Sequence, residues 1–180
     1  MSSLVLLVAL VASAFFSGSE IAFLSANRLQ LEIDLKRRSI PFWVTYWMQH
    51  PQRFIVTMLV GNTLALVVVG AQTAQLLHPY LLKFMQVPLA VLTETLVSTI
   101  GVLFMAEYIP KALFREQANA ALKWVAVPAG FFFVLFWPIT WLLGQFSALI
   151  LRWLGADPQL APSARVFGLA DLNHLVDEAS

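Results

Sequence analysis

An all-α integral membrane protein is the fold class this sequence predicts, and three observations carry it. The 180 residues are 59% hydrophobic and only 12% charged, with a mean hydropathy of +0.77. An ordinary soluble domain is about 25% charged and needs that charge to coat its surface. Apolar runs of about 20 residues, enough to cross a bilayer as a helix, recur along the chain. Lys and Arg gather between those runs, and the formal net charge is only +1, which excludes a nucleic-acid-binding stripe. Zero cysteines exclude disulfide scaffolds, thiolate zinc sites and Cys nucleophiles.

Taken in order, three helical spans are predicted at about 4–26, 54–77 and 89–114, with a fourth apolar region over 124–154. The first has no basic leader before it and runs on into Glu20, so it reads as a retained span. Pro51, Pro79 and Pro88 punctuate span ends, where prolines are tolerated. Between the first two spans, Leu29 to Gln49 mixes apolar and charged residues and then gives Trp43, Tyr46 and Trp47, as an interfacial helical segment would. Pro128 and Pro138 interrupt the fourth region, which is expected to be a Pro-broken, juxtamembrane or re-entrant segment. Residues 156–180 turn polar, and Asp171 to Glu178 reads as a short acidic helix.

Orientation comes from the basic residues. Arg28, Lys36, Arg37, Arg38 and Arg53 lie between spans one and two, and Lys111, Arg115 and Lys123 come after span three. Both connections are therefore expected in the cytoplasm, with the N-terminus outside the cell membrane. The connection between spans two and three carries Lys83 alone. Folding the fourth region back, with the C-terminus cytoplasmic, keeps Arg152 and Arg165 inside as well.

In lipid the informative residues are the expensive ones, because an ionisable group at depth normally faces a partner or a cavity. Span one carries Ser17-Gly18-Ser19-Glu20, with Ser13 and Ser25 flanking. Span two carries Gly61-Asn62-Thr63, and span three Glu94, Glu107 and Pro110-Lys111. Glu20 is eight residues from Arg28, Asn62 nine from Arg53 and Glu107 eight from Arg115. At the helical rise, each lies about 12–14 Å from its basic marker. Three spans thus bring oxygen-bearing side chains to one level. Carboxylate, hydroxyl and amide oxygens suit Mg²⁺, Ca²⁺ or an alkali ion and disfavour zinc or copper. Gly18 and Gly61 would let the backbone approach closely or release carbonyls. On a straight helix Ser17 and Ser19 point about 200° apart, so a local break or π-bulge is expected if both face one site. Glu94 stands about 20 Å from Glu107 and reads as part of an outer vestibule or a dimer contact. No nucleophile–base pair is evident, so an enzyme is not expected.

Phe16-Ser17-Gly18-Ser19-Glu20-Ile21-Ala22, Gly61-Asn62-Thr63-Leu64 and Glu107-Tyr108-Ile109-Pro110-Lys111 resemble, in order, three helix motifs of the CorC/CNNM (cyclin M) magnesium-transporter family. Ala106 stands where that family usually has Gly. The resemblance implies a homodimeric transmembrane domain of three spans and a juxtamembrane helical region. It also implies Mg²⁺ transport, in the efflux direction and driven by Na⁺ exchange. Cytosolic CBS domains that bind ATP would be further partners, and 156–180 would lead towards them. The expected ligands are Ser19, Glu20, Asn62 and Glu107, with a Gly61 carbonyl and a Ser17 or Ser25 hydroxyl. A non-transporting Mg²⁺ sensor or scaffold and a Na⁺ or H⁺ pathway without Mg²⁺ are the alternative readings.

Overall fold

The computed structural model describes residues 2–37 and 41–154, and every regular element among them is helical. The expected stretch over 156–180, with its acidic helix, and Arg38 lie outside the described residues. The elements are α1 (Ser2–Ser25), α2 (Arg28–Lys36), α3 (Phe42–Gln49), α4 (Pro51–Leu81) and α5 (Val87–Val102). A π-helical turn (Leu103–Tyr108) and α6 (Ile109–Glu116) continue α5, and α7 (Ala118–Leu135) and α8 (Trp137–Trp153) complete the order.

Four helical stretches are long and apolar enough to cross a membrane: Ser3–Ser25, Pro51–Leu81, Val87–Glu116 and Ala118–Leu135. Helices cover the three expected spans; α1 ends at Ser25, one residue short of the expected end, and the other two extend a few residues beyond their apolar runs at both ends. Pro51 opens α4 and Pro88 opens α5 from first-turn positions, where a missing N–H costs nothing. Pro79 sits inside the last turn of α4, which puts His78 within the helix and not beyond it.

The fourth region differs in detail from its expectation. Its helix begins at Ala118, and Pro128 remains inside the continuous α7. The break falls at Phe136, ahead of Pro138, where φ −89° and ψ 1° leave helical geometry. The ring of Phe132 lies 4.8 Å from that of Phe16, and Phe136 lies 6.1 Å from it, nine residues before the end of α1. Considered alone, α8 exposes Trp141 and Trp153.

α1 is the hub of the first unit, residues 1–140: it packs against α4, the π turn, α6 and α7. With lipid outside, such packing relies on close van der Waals contact through small residues. A methyl group built on Gly61 would come within 2.6 Å of the Phe16 ring, and one on Gly18 within 2.7 Å of the Phe114 ring. These two glycines therefore seat aromatic knobs from the neighbouring helices. The segment expected to be interfacial is helical, as α2 and α3: Leu31, Val44 and Trp47 are buried, and Trp47 packs on Phe54 at 4.3 Å.

The two Lys/Arg-bearing connections meet at one end of the bundle. Asn119, just after the α6–α7 elbow, accepts a hydrogen bond from the Asn27 backbone N–H at 2.8 Å and donates to Gln30 at 2.6 Å. One turn further, Lys123 pairs with Asp34 at 2.7 Å.

Candidate functional site

The best-defined polar contact within the bundle joins α1 to α4. The Ser13 hydroxyl donates to Asn62 Oδ1 at 2.7 Å, and both residues are buried. One turn along α1, Ser17 is fully buried, and its hydroxyl has no hydrogen-bond partner among the described residues. An unpaired buried hydroxyl is costly, so it marks a place where a ligand could supply the missing contact. Ser19 is also fully buried and donates to the Phe15 carbonyl at 2.6 Å, which occupies its proton and leaves its lone pairs available.

α1 stays α-helical throughout Ser2–Ser25, so the expected break between Ser17 and Ser19 is not there. Both are buried because neighbours surround α1 on several sides. The π segment lies in span three instead, and contains Glu107. Pro110 comes two residues after it, in the first turn of α6. Proline lacks the N–H of a regular turn and its ring crowds the carbonyl four residues earlier, here that of Ala106, so a widened turn at this point has a local cause. The π turn packs on α1, with Ala106 fully buried.

The remaining candidates spread over several surroundings. Glu20 is half-buried and Ser25 is exposed at the end of α1. Gly61 is buried beneath the Phe16 ring. Glu107 is half-buried and lines a cavity of about 260 Å³ between α4 and α5, with Leu66, Gly70, Ser98 and Val102. Asn62 and Ser13 touch directly, whereas Glu107 is the one candidate ligand on that cavity wall. Among the described residues, neither Glu20 nor Glu107 is ion-paired, and no three His, Asp or Glu side chains cluster as a carboxylate-rich cage would. A cation held here would rely largely on hydroxyl, amide and backbone oxygens.

Residues 4–180 match the family model of the cyclin M transmembrane N-terminal domain. The chain belongs to that family. This cyclin M domain is also 30% identical over 156 residues to the UPF0053 inner membrane protein YfjD of Escherichia coli (strain K12). The match covers 84% of this chain and 34% of that protein, so the chain spans about a third of the relative's length. Family and helices together make this a multi-pass membrane protein of a transport-type family.

Three polar features of the cyclin M domain are not evident from sequence alone. Ser13 reads there only as a flanking residue, although its four-residue spacing from Ser17 places both on one side of α1. Ser98 has a buried hydroxyl without a partner among the described residues. His78 Nδ1 lies 2.8 Å from Glu94 Oε2, where α4 and α5 meet near their hairpin. The signal for that pair is two ionisable residues on either side of a short turn at 82–86.

Proposed function

We propose that this domain moves Mg²⁺ across the cell membrane, outward from the cytoplasm in exchange for Na⁺. The ion would bind at an oxygen-ligand site between α1, α4 and the span formed by α5, the π turn and α6. The observation that carries the reading is the buried Ser13–Asn62 contact, with the unpartnered Ser17 hydroxyl one turn along α1 from Ser13. Asn62, Ser17 and Ser19 supply neutral oxygens, Glu20 and Glu107 supply charge, and Gly61 and Ser25 complete the candidate set. Mg²⁺ demands near-octahedral oxygen at about 2.0–2.1 Å and dehydrates reluctantly, so a rigid set of this kind selects it by size.

Binding would draw these groups inward, and the Phe16 and Phe114 knobs seated on Gly61 and Gly18 would shift with them. Na⁺ would replace Mg²⁺ between the carboxylates on the return step. The contact between the two basic connections supports placing both in the cytoplasm. The least buried of the spans, Val87–Glu116, supports a second copy as its cover in a homodimer. CBS domains that bind ATP would be cytosolic partners in the full-length protein.

The test is Mg²⁺ flux into or out of proteoliposomes holding the full-length protein under an imposed Na⁺ gradient, with calorimetric Mg²⁺ titration of Asn62→Ala and Glu20→Ala. Na⁺-driven Mg²⁺ flux, with affinity lost in both variants, is expected. Binding without flux would leave a sensor, and Na⁺ or H⁺ flux without Mg²⁺ would leave the other alternative. Unchanged affinity in both variants would remove the site.

A further inference from the structure

Span three carries a carboxylate that the proposed site does not use. Glu94 lies seven residues into α5 from Val87, and its side chain is only 12% exposed. An ionisable group at such a depth is expensive unless paired, and it is a functional candidate by default. Its partner is His78 on α4, at 2.8 Å, with the imidazole 42% exposed. Ala90, one turn before Glu94, is fully buried, so this row of α5 faces the bundle.

From there a polar row runs inward. Ser98 and Val102 succeed Glu94 at four-residue steps on α5, and Leu66 and Gly70 lie on the same row of α4 as Ala74 and His78. Four of these residues, Leu66, Gly70, Ser98 and Val102, line the cavity of about 260 Å³. Ser98 brings a buried hydroxyl without a partner among the described residues, and Gly70 leaves the opposite wall without a side chain. At the inner end the π turn keeps both Ala106, fully buried, and Glu107, on the cavity wall, turned towards the bundle. A widened i→i+5 turn accommodates that extra residue. Glu107, Ser98 and Glu94 are thus oxygen groups spaced along one helix–helix seam, closed at its far end by a His–carboxylate contact.

We infer that the seam between α4 and α5 is the outer half of the cation's route, and that the His78–Glu94 contact is the gate that closes it. This rests on the transport reading above. Val87–Glu116, which forms one wall of the seam, is the least buried of the spans, and in the proposed homodimer the second copy covers it. A divalent or sodium ion leaving Glu107 would pass the Ser98 hydroxyl and reach the opposite side once α4 and α5 part at His78 and Glu94.

The chain contains no cysteine, so a thiol pair introduced there reads cleanly once any cysteine elsewhere in the full-length protein is replaced. In proteoliposomes, bridging the His78→Cys, Glu94→Cys double variant with a short reducible cross-linker is expected to abolish Na⁺-driven Mg²⁺ flux. Calorimetric Mg²⁺ binding should survive the bridge, and reductant should restore the flux. Full flux through the bridged protein would overturn the gate while leaving Mg²⁺ transport standing. Absence of flux before cross-linking in the cysteine-free parent would overturn both. A second measurement does not depend on the double variant folding. Ser98→Cys should react with a membrane-impermeant thiol reagent from the side opposite the basic connections when combined with Glu94→Ala, and stay protected when Glu94 is intact. No labelling in either background would overturn the route.

Discussion

The Ser13 hydroxyl fixes the Asn62 side-chain amide across the α1–α4 interface, donating to Oδ1 at 2.7 Å. Both residues are buried, so the contact orients an amide that would otherwise rotate, and it leaves the second lone pair of Oδ1 for another partner. Hydrogen bonds between membrane helices average about 0.6 kcal/mol in measured cycles, less than burial in hydrocarbon alone would suggest. A double-mutant cycle of Ser13→Ala and Asn62→Ala, read by thermal unfolding in detergent, should give a coupling energy of about 0.5–1.5 kcal/mol. Additive single effects would show that the two side chains are merely adjacent.

Gly61 and Gly18 make a steric prediction. The Phe16 ring over Gly61 cannot swing away freely, because it packs edge-on against Phe132 at 4.8 Å and Phe15 at 5.4 Å. Gly61→Ala should therefore cost about 1–3 kcal/mol, the range for overpacking a close-packed interior. Adding Phe16→Leu should recover part of that loss. Thermal stability of the single and double variants in the same detergent checks it, and a Gly61→Ala protein as stable as wild type would contradict the close approach.

The membrane spans were legible because hydropathy and bilayer thickness fix length almost without reference to tertiary structure. Their ends were not, because α4 and α5 begin at Pro51 and Val87 by local helix chemistry while the apolar run starts later. Pro128 misled for a related reason: a proline kinks or ends a helix in water, yet neighbours in a bundle can hold the helix together through it, and the break came at Phe136. At the site, residue type and depth single out Ser17, Ser19 and Asn62 in the sequence, and all three are buried. What Asn62 touches was not, because Ser13 is 49 residues away and the pairing depends on how α1 and α4 are rotated. The π turn is likewise set by Pro110 and the packing of the turn on α1 together, and only the first of these is visible in one dimension.

The clasp at the basic end should be dominated by an uncharged residue. Asn119 makes two hydrogen bonds, to the Asn27 N–H and to Gln30, and so ties the start of α2 to the start of α7. The Lys123–Asp34 pair is partly exposed, at 34% and 18%, and Asp34 has further interactions to fall back on. Such pairs contribute about 0.2–1 kcal/mol, against about 1 kcal/mol for each net hydrogen bond. Asn119→Ala should accordingly raise amide hydrogen exchange across α2 more than Lys123→Ala does. The reverse order would assign the clasp to the ion pair.

The π turn offers the sharpest separation of structure from transport. Met105 is 64% exposed on its outer side, so deleting it removes no buried contact while erasing the extra residue of the turn. An α-helical 102–109 would then rotate α6 by about 100° relative to α5. Either Glu107 leaves the wall it shares with Ser98 or Phe114 leaves its seat on Gly18, because one rigid helix cannot keep both. Helix content should be retained, since a π turn is less regular than the α-helix replacing it. We expect far-ultraviolet circular dichroism close to wild type and loss of Mg²⁺ flux in proteoliposomes. A deletion variant with unaltered flux would show that the wide turn is a packing accommodation to Pro110 alone, with no part in holding Glu107 on the α4–α5 seam.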